Sequence, residues 1–179
     1  MLEEAFAFVG LQIARLKFAS DRDQVQPLTE FLRDSHNVLI TLPIGYDNSI
    51  LAGTAIRAHR ERLGHVHLTV VHNSTRATPL SEFPRSEVVR LDSSDLNRFS
   101  LPTHQLIKRI MTRQFDVAID LNLDFVLHTA YICKASGARV RVGFKHSAAD
   151  MFYNVQLNMN PQRSPQALYE NFAACLAMF

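Results

Sequence analysis

Residues 38–63 read VLITLPIGYDNSILAGTAIRAHRERL, and the spacing of apolar side chains changes part-way along. Val38, Leu39, Ile40 and Thr41 are consecutive aliphatic or β-branched residues, the pattern of a strand covered on both faces. Pro43, Ile44 and Gly45 then interrupt it, and Asp47, Asn48 and Ser49 stand where a helix would begin. From about Ile50, Ala52, Ala55, Ile56, His59 and Leu63 line one side while Arg57, Arg60 and Glu61 line another, which is helical spacing. Asn48 or Ser49 is expected to cap this helix, because a short side-chain oxygen can accept from first-turn amides that lack partners. Gly45 is expected to supply positive φ in a sharp strand-to-helix turn. The stretch is therefore strand, loop and helix. Its loop, Leu42 to Ser49, lies at the carboxyl end of a buried strand and faces a helix amino terminus, where open α/β sheets hold ligands.

The same alternation continues downstream. Val66–His72 (VHLTVVH), Glu87–Leu91, Phe115–Leu121 (FDVAIDL), Arg139–Phe144 (RVRVGF) and Tyr153–Met159 (YNVQLNM) have strand character. Between and after them lie helical patterns opening at Pro102 or Thr103, spanning Phe125–Ser136, and closing the chain from Pro165 to Phe179. Gly137 follows the second of these as a natural helix stop. Alternating strands and helices imply an α/β fold, a single Rossmann-like, doubly wound and mainly parallel sheet over residues 37–179. Val38–Leu42 and Phe115–Leu121, apolar on both faces, are expected to be buried neighbours.

Residues 1–36 form a helical amino-terminal extension. Leu2, Phe6, Val9, Ile13 and Leu16 recur at helical spacing, and Ala5, Phe8 and Leu11 widen the apolar arc well beyond a narrow stripe. A second short helix is expected after Pro27, with Leu28, Phe31 and Leu32 on its apolar side. An arc this wide is expected to need a cover, either the domain's own sheet, with the helical pair packed on it, or a partner or membrane surface; residues 1–35 are thus a candidate surface for a homodimer or another partner.

Composition excludes several classes of function. The 179 residues are 47% hydrophobic and 20% charged with a formal net charge of +2, as in an ordinary globular domain with a real core. Neither that charge nor any interleaving of basic and aromatic residues suggests nucleic acid. No apolar run is long enough to span a bilayer, and Glu3 and Glu4 argue against a secretory signal. Cys133 and Cys175 have no metal-ligand spacing and are expected to be buried, reduced thiols. His65, His67 and His72 lack a nearby cysteine or a well-spaced carboxylate, so no metal is expected. The first loop has one glycine and no lysine-serine/threonine ending, so it is not a P-loop. No Gly-x-Gly-x-x-Gly or Gly-x-Ser-x-Gly occurs, and no cofactor is expected.

The order of pieces nevertheless resembles one family. VLIT with a following loop that contains Gly45 and Asp47, FDVAIDLN at 115–122, SGARVRVGF at 136–144, then YNVQLN and a closing helix are similar in order and spacing to the amino-terminal, acceptor-side half of bacterial heptosyltransferases, glycosyltransferase family 9. The resemblance covers about Val38 to Phe179. It implies one of two Rossmann-like domains that face a cleft, with the nucleotide-sugar held mainly by the other. It also implies a cytoplasmic protein of lipopolysaccharide biosynthesis, at most peripheral to the inner membrane.

The resemblance carries over to particular residues. The family's first loop supplies an aspartate as general base from a Gly-Asp pair, whereas here the loop reads Gly45-Tyr46-Asp47, with one residue inserted. Pro43 and Ile44 replace the family's small serines. Asp47 is the candidate base, with helix capping as its alternative role; Gly45 and Asn48 join it as candidate acceptor contacts. Asp120 and Asn122 match the family's Asp-Leu-Gln at the end of the fourth strand. They either face ligand or hold loop amides. His128-Thr129 stands where the family has a basic residue and a serine. Arg141, Lys145 and His146 either meet phosphate or carboxylate groups or form a solvated basic rim. Two functions follow as expectations. An anionic sugar is a candidate ligand, and one function is a binding or assembly module, inactive alone, that keeps the first domain's fold without its chemistry. The other is half of a split glycosyltransferase that moves a hexosyl or heptosyl unit from a nucleotide-sugar to a lipopolysaccharide-type acceptor, completed by a donor-binding partner chain.

Overall fold

The computed structural model describes residues 2–23, 35–59, 61, 64–73, 79–82, 85–160 and 162–176. In chain order these form α1 (Leu2–Phe18), β1 (Asn37–Thr41), α2 (Tyr46–Arg57), β2 (His67–His72), β3 (Ser86–Arg90), α3 (His104–Ile110), β4 (Val117–Asp120), α4 (Leu127–Ala135), β5 (Val140–Phe144), β6 (Val155–Leu157) and α5 (Pro165–Leu176). The short helix expected at Leu28–Leu32 and the position of Leu63 lie outside the described residues.

The six strands form one sheet in the order β3-β2-β1-β4-β5-β6, with every pairing parallel. This is the doubly wound arrangement expected from the sequence. Chain direction across the sheet reverses between β1 and β4, which are adjacent with Ile40 opposite Ile119 and Thr41 opposite Asp120. Such a switch point leaves a crevice beyond the carboxyl ends of the two central strands, because their outgoing loops part to opposite faces.

Alternation along the central strands sends side chains into two cores. Val38, Ile40, Val117, Ile119 and Val142 pack with Ala52 and Ile56 of α2 and Tyr169 and Phe172 of α5. Leu39 and Ala118 face the other way, against Ala14 and Phe18 of α1, Leu106 and Ile110 of α3, and Ala130 and Ile132 of α4. The helices thus cover both faces.

Several helix ends are set by local chemistry. Thr103 caps α3, its hydroxyl accepting from the Leu106 amide at 3.3 Å. Gly137 takes φ +67° just beyond α4, the left-handed conformation anticipated there. The start of α2 differs from expectation: it begins at Tyr46, with Gly45 as N-cap and no side-chain cap. Asn48 and Ser49 lie inside the first turn, where the Ser49 amide donates to the Gly45 carbonyl at 2.9 Å. Asp47 also lies in that turn, where a carboxylate suits the positive end of the helix.

Helix α1 belongs to the same core. Phe18 packs against Tyr131 and Phe152, with ring centroids 5.1 and 6.5 Å away, and Phe6 meets Phe99 edge-on at 5.9 Å. At Gly10 a Cβ would stand 2.1 Å from the Phe99 carbonyl oxygen, so only glycine allows this approach.

Ile119, fully buried between Ile40 and Val142, tests the architecture. Ile119→Asp places an unpaired charge in the first core and is expected to cost roughly 3–5 kcal/mol, read as a lowered midpoint in urea denaturation.

Candidate functional site

At the switch point the β1–α2 loop meets the β4–α4 loop, the Ile44 amide reaching Asn122, and the end of β4 lies beneath them. Asp120, the last residue of that strand, is 1% exposed. A buried carboxylate needs donors. Its Oδ1 accepts from the Asn122 backbone amide at 3.0 Å and from Asn122 Nδ2 at 2.7 Å, while Oδ2 accepts from the Tyr153 hydroxyl at 2.6 Å. Asn122 passes the connection on. Its Nδ2 also donates to Thr129 Oγ1 at 3.3 Å, and its Oδ1 accepts from the Ile44 amide at 3.2 Å. Thr129 in turn donates to the Val126 carbonyl at 3.0 Å.

One continuous network, Tyr153–Asp120–Asn122–Ile44, therefore ties the β5–β6 connection to the end of β4 and to the loop that carries Gly45 and Asp47. Of the two roles open to Asp120, holding loop amides is the one seen. Tyr153 packs its ring over Gly143, where a Cβ would lie 2.7 Å from ring carbons, so the glycine makes room for the hydroxyl to reach Asp120. Burial and the Asp120 charge push the Tyr153 phenol well above its ordinary range, which keeps it a donor. Burial and Asp120 likewise raise the Cys133 thiol; Cys133 is buried as expected, whereas Cys175 is only half-buried.

His128, half-buried in the first turn of α4, titrates below its ordinary value of 6.5. Burial lowers it, and the nearby Asp120 charge only partly opposes that.

The rim contrasts with the floor. Ile44, Gly45, Tyr46 and Asp47 are exposed and Asn48 is half-buried. Gly45 has φ −71° and ψ 131°, ordinary extended backbone, so the expected positive φ is not used. A Cβ there would meet nothing within 4 Å, so the glycine leaves open space beside the uncapped start of α2. Lys145 and His146 are exposed just beyond β5, and the His146 ring stacks on Phe125 at 5.4 Å.

Arg141 is not part of this group. It lies near the amino end of β5, opposite Ala118, and is 4% exposed. Its Nε donates to the Phe152 carbonyl at 2.8 Å, its Nη1 to the Ala138 carbonyl at 2.7 Å, and its Nη2 stands 2.5 Å from Asp23 Oδ1. Neither the solvated rim nor the anion contact weighed for it matches this interior position. A guanidinium whose donors serve two carbonyls and a carboxylate joins chain segments. The structure thus gathers Gly45, Asp47, Asn48, Asp120, Asn122 and His128 about the switch point, sets Lys145 at the neighbouring strand end, and leaves Arg141 apart. Tyr153 was missed as a site residue. The available signal was a tyrosine in an apolar run, whose hydroxyl needs a partner when buried.

Solved structures share this fold. E. coli heptosyltransferase WaaC with ADP superposes with a TM-score of 0.58 at 14% identity, over 78% of this chain and 46% of that one. The glycosyltransferase family 9 protein from Veillonella parvula DSM 2008 gives 0.60 at 15% identity, over 82% and 42%. WaaC with ADP-2-deoxy-2-fluoro heptose gives 0.58 at 15% identity, over 78% and 47%. The chain has the fold of these glycosyltransferases. It spans less than half the length of each of them. No family sequence model and no curated protein sequence matches it. Among the described residues no group of three potential metal ligands occurs, and no helix is long and apolar enough to cross a membrane.

Two outcomes are expected of the floor. Tyr153→Phe leaves Asp120 Oδ2 buried without its hydroxyl donor and is expected to cost about 1–3 kcal/mol, with faster hydrogen exchange at the Ile44 amide. His128 and His72 both titrate below 6.5 when folded, His72 because burial and the Arg90 charge disfavour its protonation. Protonation therefore favours the unfolded chain, so their contribution is complete above about pH 6.5 and lost as pH falls through the folded values. Thermal melts from pH 7.5 downward should show this decline, and His128→Gln should flatten it.

Proposed function

We propose that this domain is the acceptor-side domain of a glycosyltransferase of the heptosyltransferase type, and that by itself it binds an anionic sugar of the lipopolysaccharide kind without transferring one. The observation that carries this reading is the switch-point crevice, a buried hydrogen-bonded floor beneath an open rim formed by Gly45, Asp47 and Asn48. The uncapped start of α2 offers first-turn amides to an anionic group, and Lys145 supplies a charge at the neighbouring strand end. Asp120 and Asn122 serve this site by positioning the first loop.

A second reading, one half of a split enzyme, is favoured by Asp47. Its carboxylate is exposed at the rim, where an acceptor hydroxyl could come within reach once a donor-binding domain, on the same or another chain, closes over the crevice. Transfer then needs acceptor and donor aligned within reach of that carboxylate.

The test is calorimetric titration of the 179-residue chain with a phosphorylated inner-core-type oligosaccharide, alongside a transfer assay with a nucleotide-heptose. Binding is expected, weakened about fivefold by Lys145→Ala, roughly the 1 kcal/mol of one exposed charge-assisted contact. No turnover is expected. Turnover abolished by Asp47→Asn would replace the binding reading with the catalytic one, and absence of binding would overturn both.

A further inference from the structure

Helix α1 has two apolar faces. Gly10, Ala14 and Phe18 are buried, and with Phe6 and Leu11 they line the side turned to the core. On the outward side Phe8, Val9, Ile13 and Leu16 are 63%, 42%, 38% and 78% exposed. They are four of the seven large hydrophobic residues exposed among the described residues, so the apolar surface is concentrated on one helix rather than scattered. Scattered exposed hydrophobics need no explanation, whereas a contiguous stripe marks a contact.

Charge along the same helix is divided by end. Glu4 stands in the first turn, Arg15 and Lys17 in the last. We propose that this outer face is a self-association surface, on which a second copy of the chain lays its α1 antiparallel about a two-fold axis. The antiparallel sense follows from the charge. It brings the acidic end of each helix to the basic end of the other, whereas a parallel pair would set like charges together. A uniformly anionic membrane surface would attract one end and repel the other.

An axis passing at the level of Gly10 and Leu11 sets Phe8 level with the partner's Ile13 and Ala5 level with the partner's Leu16. Glu4 then falls level with the partner's Lys17 and within a turn of the partner's Arg15. Lys17 already donates to the Tyr131 hydroxyl, so Arg15 is the freer cation for this pairing. A two-fold repeats each contact, which makes a single stripe complementary to itself. One helix face is less than the roughly 800 Å² per partner of a standard interface, so the association belongs to the weak class. None of these residues belongs to the crevice loops, so this surface does not rest on the sugar-binding reading.

Sedimentation and light scattering of the 179-residue chain across the micromolar range test it. The mass is expected to climb from 20.3 kDa towards twice that value with concentration. Phe8→Glu and Leu16→Glu should hold it at the monomer value with an unchanged circular dichroism spectrum. Glu4→Arg alone and Arg15→Glu alone should each weaken the dimer, and the two together should restore it. A monomer at every concentration, or a dimer indifferent to Leu16→Glu, would overturn the proposal. So would a chain that stays monomeric in solution but sediments with phosphatidylglycerol vesicles until Leu16→Glu releases it.

Discussion

A carboxylate with almost no solvent-exposed surface sits where the winding of the sheet reverses, and much of the local structure follows from its need for donors. In a low-dielectric interior an unpaired carboxylate would cost several kcal/mol, so Asp120 is tenable only while its contacts persist. Two of its three hydrogen bonds come from Asn122 and one from Tyr153. These donors lie on different stretches of chain. The charge therefore fixes the turn after β4, holds the β5–β6 connection against it, and through Asn122 reaches the Ile44 amide in the first loop. Gly143 is small because Tyr153 must lie over it, and His128 titrates low because it shares this interior.

A second constraint acts at the other end of β5. Arg141 is buried with Lys134, and both meet Asp23, which follows α1. Its partners' positive charges hold the Asp23 carboxylate below its usual range despite the opposing effect of burial, the largest influence on it. Together with Phe18 against Tyr131 and Gly10 under the Phe99 carbonyl, this locks the amino-terminal helix onto the sheet's second face. The amino-terminal helix thus packs on the domain's own sheet, one of the two covers its wide apolar arc left open.

Much of the fold was legible because its determinants are local or periodic. Runs apolar on both faces gave β1 and β4 as buried neighbours, and Thr103 and Gly137 marked helix ends through chemistry that acts over a few residues. The start of α2 was misread because Asn48 and Ser49 are good caps, yet backbone geometry let Gly45 take the N-cap and carried the helix back to Tyr46. Arg141 could not be read at all. Whether an arginine in a strand turns inward depends on carbonyls at 138 and 152 and a carboxylate at 23, brought together only by the finished topology. Asp120 was legible as a strand-end acid but not as a fully bonded one, since Tyr153 lies in a different part of the chain.

The two aspartates near the switch point sit in opposite environments. Asp120 has both oxygens engaged in the interior, so an incoming ligand would have to break existing bonds to use it, which suits a support. Asp47 lies in the first turn of α2, exposed to solvent beside the open space at Gly45, and has no such commitment among the contacts described. Tyr46, between Gly45 and Asp47, matters in this setting, because it already begins the helix and so sets where that carboxylate can project. The hydrogen-bonded floor holds the position of the first loop, while the rim above it stays exposed, the division between support and contact that a binding site needs. If Asp47 acts as a base in a larger assembly, its reach is governed by the Asn122 to Ile44 hydrogen bond. A change in Tyr153 or Asp120 would then alter chemistry at the rim without touching the substrate.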